Sequence, residues 1–186
     1  MHYLQKVYNF EQKYVTIAKK GCVNMNEAEV MHEIDPVFDN QSKILILGSF
    51  PSVKSRETGF FYGHPQNRFW KVLAHIFQVD IPITVDDKKK FLLNHHIAVW
   101  DVIASCTITG SSDSSIKNVV PNDLDRILKH APIERIYVNG GTAYKLFKKY
   151  LEPQFGRSSI KLPSTSPANA GFRLERLIES WQIIVE

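Results

Sequence analysis

Four aromatic side chains and a scatter of amides carry the recognisable chemistry of this chain. Phe50, Phe60, Phe61 and Tyr62 lie close together, Asn67 follows them, and further amides stand at Asn118, Asn139 and Asn169. Such a set suits a flat heterocycle: a nucleobase stacks on aromatic faces, and amides, which both donate and accept, read its edge. Packing of the aromatics beneath loops is the competing use of the same residues. Other chemistries lack their parts. There is no Gly-x-Ser-x-Gly elbow and no histidine near the carboxyl end, so hydrolysis by a Ser-His-Asp set is unsupported. Gly48-Ser-Phe-Pro-Ser lacks the Gly-Lys-Ser/Thr ending of a phosphate loop, and no Gly-x-Gly-x-x-Gly fingerprint occurs. The two cysteines, Cys22 and Cys106, have no histidine at ligand spacing and imply no metal, only reduced thiols in ordinary packing.

Those residues need elements to position them. Residues 44–47 are an unbroken apolar, β-favouring run, the pattern of a strand covered on both faces, and Gly48, Ser49 and Pro51 end it. A polar turn follows. Pro65 suits the first turn of a helix continued by Phe69, Trp70, Leu73, Ile76 and Phe77, which sets Asn67 beside the N–H groups a helix start leaves unpaired. Residues 3–20 predict a packing helix ending at Gly21, and residues 21–42 an irregular lead-in loop. Asp86 is placed to cap a short basic helix through Lys88, Lys89 and Lys90, a solvated face or a phosphate contact, and residues 97–103 form a second strand. Residues 105–123, rich in hydroxyls, amides and glycine, read as a long loop, functional or simply a surface excursion. Pro121 and Asn122 open a helix through Leu128. Residues 135–139 and 160–162 supply two more strands, the first followed by a helix from Gly140-Gly141, the second by a final helix with Leu174, Leu177, Ile178 and Trp181.

Strands alternating with helices imply parallel pairing, hence a three-layer α/β/α domain around a central, mainly parallel four-stranded sheet. Ligands of such sheets bind beyond the carboxyl ends of the strands. Stretches 48–67, 101–118, 139–142 and 163–171 all follow strands and so converge on one rim. The 186 residues, 44% hydrophobic and 23% charged, divide into an N-terminal helical extension, 1–30, and one domain, 31–186. No apolar run reaches the roughly 20 residues of a membrane helix, and the N-terminus lacks a signal-peptide core, so the chain reads as cytoplasmic with no membrane partner. Monomer is the default. A net charge of +4 and a pI near 9.0 permit a polyanionic partner without demanding one.

Three segments taken together add a resemblance. Gly48-Ser-Phe-Pro-Ser, His64-Pro-Gln-Asn-Arg-Phe-Trp70 and Ser164-Thr-Ser-Pro-Ala-Asn-Ala170, with Asp113-Ser-Ser-Ile-Lys-Asn118 between them, resemble the motifs of the uracil-DNA glycosylase superfamily, most closely its hypoxanthine (deoxyinosine) branch. The similarity runs from about residue 33 to the C-terminus. It implies a four-stranded parallel sheet, double-stranded DNA containing a damaged base as partner, no cofactor, and hydrolysis of the N-glycosidic bond of a base flipped from the duplex. Many superfamily members carry a water-handling Asn or Asp where this chain has Phe50. The role passes to Asn67 and then Asn118, with Ser164 at the position of a base-contacting group. Gly48, Ser49, Phe50, Tyr62 and His64 are the expected base-binding residues: Phe50 by stacking, the N–H groups about Ser49 and Phe50 as donors to the base carbonyl. Ser52, Ser166 and Asn169 are expected on the DNA, Ala168 at the position of a bulkier wedge, and Arg68 and Arg173 on the surface or on phosphates. No lysine is placed to form an imine, which implies a monofunctional enzyme. Uracil or a mismatched thymine is the alternative substrate, and a non-catalytic DNA- or nucleotide-binding module the alternative class.

Overall fold

In the computed structural model, which describes residues 28–109 and 115–186, the expected sheet is present with all strands parallel. Its order is β3 (Ile97–Asp101), β2 (Ile44–Gly48), β6 (Arg135–Asn139), β7 (Ile160–Leu162). Leu45, Ile46 and Leu47 are each fully buried, and successive strand residues point to opposite faces, so both faces of β2 are covered. Covering helices follow from apolar spacing. Helix α2 (Phe69–Ile76) buries Phe69, Trp70, Val72, Leu73 and Ile76, and contacts α7 (Leu174–Trp181), where Phe69 meets Trp181 edge to face at 5.8 Å. Helix α3 (Val85–Asn94) lies against β3, while α5 (Gly141–Leu146) lies against β6 and β7 and continues through a π-helical turn, Phe147–Leu151, into the short α6 (Glu152–Phe155). No helix among the described residues is long and apolar enough to cross a membrane.

Several local expectations are corrected. The polar turn after β2 contains a short helix, α1 (Val53–Thr58), capped by the Ser52 hydroxyl. Helix α2 begins at Phe69, not Pro65, and Thr84 rather than Asp86 caps α3, through a capping box with Asp87. Pro121 ends a strand, and the helix expected from there is only α4 (Asp125–Leu128).

The largest correction concerns residues 105–123 and the lead-in to β2. They build a second, antiparallel sheet in the order β1 (Ala28–Met31), β4 (Ile103–Ile108), β5 (Lys117–Pro121). The strand expected over 97–103 leaves the main sheet after Asp101 and enters this one at Ile103. Its departure is secured twice. Val102 N–H donates to Gly48 O at 2.9 Å, and the buried Asn122 amide donates to the carbonyls of Asp101 and Ile103, both at 3.0 Å. Strand β1 straddles the boundary expected at residue 31. The helix expected over 3–20 and residue Asp113 lie outside the described residues.

Candidate active site

The loops beyond the carboxyl ends of β2, β3, β6 and β7 enclose a cavity of about 530 Å³. That is a volume typical of a small-molecule recess. From the loop after β2 come Gly48, Ser49, Phe50 and Ser52, from the segment before α2 Tyr62, His64 and Asn67, and from the loop after β7 Ser164, Ser166 and Ala168. These ten residues come from three separate segments of the chain, and the sheet brings the segments to one rim.

Each is held by a local bond that its own type makes possible. Ser52 Oγ accepts from Ser55 N–H, and His64 Nδ1 accepts from Gln66 N–H at 3.1 Å. Asn67 Oδ1 accepts from Phe69 N–H at 3.0 Å, which fixes the amide at the helix start while its NH2 bonds to no described residue. Phe50 is buried against His32, edge to face at 6.0 Å, and the Arg56 guanidinium stands 5.7 Å over its ring. Tyr62, at φ 53°, stacks on Phe69 with 3.8 Å between centroids.

The wall that carries Ser164 is a loop tied to the rest of the domain by Arg68. Its guanidinium donates to the carbonyls of Thr165, Ser166, Asn169 and Phe172, and its own N–H reaches Thr165 O at 3.1 Å. Arg68 is thus a structural anchor, not the surface or phosphate contact expected. Thr165, fully buried, exchanges two bonds with Asn139: Asn139 Nδ2 donates to Thr165 Oγ1 at 2.9 Å, and Thr165 N–H donates to Asn139 Oδ1 at 3.0 Å. Ser164 packs on Gly140, whose φ of 100° and close approach leave no room for a side chain: an added Cβ would come within 2.9 Å of Ser164 Cβ.

The structure does not bring two expected site residues into the cavity lining. Asn169 is spent inside the loop, its amide donating to Ser164 O at 2.9 Å. Asn118 is exposed on β5 at φ 50°, its amide donating to Thr107 Oγ1 across the second sheet. What sequence reasoning missed is at the floor. Asp101 lines the cavity beside Gly48, its register partner, and its Oδ2 accepts from His32 Nε2 at 2.9 Å. The available signal was a charged residue between Trp100 and Val102, at the carboxyl end of a strand whose other members are apolar. His32 gave none, since its approach depends on the second sheet, where its N–H donates to Ala104 O.

A family model described as the Uracil DNA glycosylase superfamily matches residues 36–184. Hypoxanthine DNA glycosylase of Methanosarcina acetivorans is 32% identical over 149 residues, 80% of this chain and 93% of the relative. The Methanosarcina barkeri protein of the same name is 31% identical over 135 residues, 72% of this chain and 85% of its own. A solution NMR structure of a candidate uracil DNA glycosylase from Methanosarcina acetivorans superposes with a TM-score of 0.68 at 30% identity, covering 82% of this chain and 97% of that one.

Proposed function

The chain belongs to the uracil DNA glycosylase superfamily and is a DNA glycosylase, and on that premise we propose that it is monofunctional and removes a deaminated base, hypoxanthine before uracil, from double-stranded DNA in base excision repair. The observation that carries this reading is the cavity: a recess at the carboxyl ends of four parallel strands, walled by Phe50 and Tyr62 and edged by Asn67 and Ser164. The relatives named hypoxanthine DNA glycosylase support hypoxanthine as the base.

The reaction breaks the N-glycosidic bond toward an oxocarbenium-like sugar and an electron-rich departing base. Water attacks the sugar carbon, and an abasic site remains. Catalysis therefore asks for a positioned water and for hydrogen bonds to the departing base. A flipped base enters deepest while its sugar stays with the backbone, so buried groups face the base and half-exposed ones face sugar and water. Asn67 is half-exposed. One lone pair of its Oδ1 takes the Phe69 N–H, and the other is directed to the nucleophilic water. Phe50 offers its ring to the base, and the N–H groups about Ser49 and Phe50 donate to it as it gathers charge. The Ser164 hydroxyl, whose oxygen already accepts from Ser166 N–H at 3.2 Å, retains its proton as a further donor. Ser52 and Ser166, half-buried at the mouth, face the DNA strand.

The test is alkali-revealed cleavage of end-labelled duplexes carrying one inosine, uracil or xanthine, with wild type beside Asn67→Ala. Inosine is expected to be released fastest, and Asn67→Ala to lower that rate by about 100-fold or more with DNA binding intact. Full activity in Asn67→Ala removes the water from its charge; no release of any base by the wild type overturns the substrate assignment.

A further inference from the structure

The His32 side chain is titratable and only 1% exposed, and the reaction proposed for the cavity gives it no part. It stands immediately after β1, before the segment matched by the family model, residues 36–184. Three hydrogen bonds fix it. Its backbone N–H donates to Ala104 O at 2.7 Å, and Ile34 N–H donates to its Nδ1 at 3.3 Å. The other ring nitrogen, Nε2, therefore carries the proton and donates it to Asp101 Oδ2 at 2.9 Å. Trp100 Nε1 fastens the same segment again by donating to Ile34 O at 3.3 Å. So held, the imidazole is the hub of an aromatic cluster. Phe50 and Trp100 meet it edge to face, with centroids 6.0 and 6.2 Å away, and Phe61 lies tilted at 6.1 Å. Phe50 and Phe61 both line the cavity.

Phe50 depends on such support, because it lies in the loop between β2 and α1. The crossing from β3 to β4 pins the backbone just ahead of it: Val102 N–H donates to Gly48 O at 2.9 Å, and Ile103 N–H to Ser49 O at 3.2 Å. Those bonds decide where the side chain starts, but its two torsions still decide where the ring faces. The Arg56 guanidinium stands 5.7 Å over that ring, yet it donates to Pro51 O at 2.8 Å and so travels with the same loop. His32 is tied instead to β3 and β4, and offers the ring a fixed reference.

We propose that His32 is the positioning residue of the aromatic wall: its anchored imidazole holds the Phe50 ring in the orientation on which a flipped base stacks, an assignment that rests on the glycosylase reading. Histidine suits the post. A phenyl ring would offer an edge but no bond to turn it and would leave Asp101 unpaired; an amide would make the bond but has no ring edge. A stacking face set in advance spares the arriving base the cost of ordering it. The second sheet is thereby a working part of the site.

The experiment reads Phe50 directly. Full-length protein is labelled with para-fluorophenylalanine, and Phe50→Leu identifies the Phe50 fluorine resonance. His32→Gln keeps a donor for Asp101 and removes the ring, with thermal melts to confirm folding. The Phe50 line is expected to be single and narrow in wild type and to shift and broaden in His32→Gln. The line of Phe77, which packs on Phe91 and His95, should not move. Single-turnover release of hypoxanthine should fall about tenfold in His32→Gln, and the double variant should be no slower than Phe50→Leu alone. A Phe50 line unmoved by His32→Gln, or a full His32→Gln effect persisting in the Phe50→Leu background, overturns the inference while leaving the glycosylase reading intact. Should His32→Gln fail to fold, wild type decides: Overhauser contacts between the His32 and Phe50 ring protons are expected, and their absence overturns the inference. If wild type releases no base, the glycosylase reading fails, and the Phe50 line alone decides whether His32 sets the ring.

Discussion

The cavity has two kinds of wall. The loop after β7 is saturated: four carbonyls meet Arg68, Thr165 is paired twice with Asn139, and Ser164, Ser166 and Asn169 bond within the loop. The floor is the reverse. Asp101 has one partner for its two oxygens, and the Tyr62 hydroxyl has none. Satisfied polar groups hold a shape, whereas buried unsatisfied ones cost free energy that a hydrogen-bonding partner recovers. The loop is scaffold, and the floor is where polar groups remain unengaged by the protein.

Substitutions test that contrast most severely at Arg68. Arg68→Met keeps the apolar stem but abandons four carbonyls at once, and should cost about 3 kcal/mol or more in urea unfolding. Base release should fall with it, because Ser164 rides on the same loop. Arg68→Lys should recover little, since a single ammonium cannot fork across carbonyls pointing from several directions. Near-wild-type stability in Arg68→Met would make the loop self-supporting and erase its difference from the floor.

Gly48→Ala comes next. Its Cβ would occupy the space of Asp101 Oδ1, so the carboxylate must swing from His32 or the backbone must shift, at about 2 kcal/mol. The effect should depend on Asp101. In an Asp101→Ala background the same substitution should cost at least about 1 kcal/mol less, a coupling that a thermodynamic cycle measures directly. Additive costs would mean that the glycine serves the backbone alone.

How much of this was legible in sequence follows the same division. The four strands and α2 announce themselves because apolar runs and helical spacing are local signals. The rim was readable too, since Ser164, Asn67 and Phe50 each sit just past a strand or before a helix. The second sheet was not. Strand β4 carries Ser105 and Thr107, β5 carries Asn118 at positive φ, and their register shifts twice, so no clean alternation marks them. The floor was hidden for the same reason: His32 and Asp101 are 69 residues apart, and only that unannounced sheet brings them together. Asp101 itself was read as the end of a strand and the start of a rim stretch, not as a site residue.

The two smallest expected effects make a matched pair, one oxygen removed from each wall. Thr165→Val deletes a fully buried hydroxyl that accepts from Asn139, leaves the Asn139 NH2 without that acceptor while its oxygen keeps the residue-165 N–H, and should cost about 1–2 kcal/mol. Tyr62→Phe deletes a buried hydroxyl with no partner. Nothing is lost in the folded state, the burial penalty of the group disappears, and the ring keeps its stack on Phe69, so stability should hold or rise by up to about 1 kcal/mol. A loss of 1 kcal/mol or more would mean that Tyr62 donates to Asp101 or Asn139 in solution, and would move the floor into the same category as the loop.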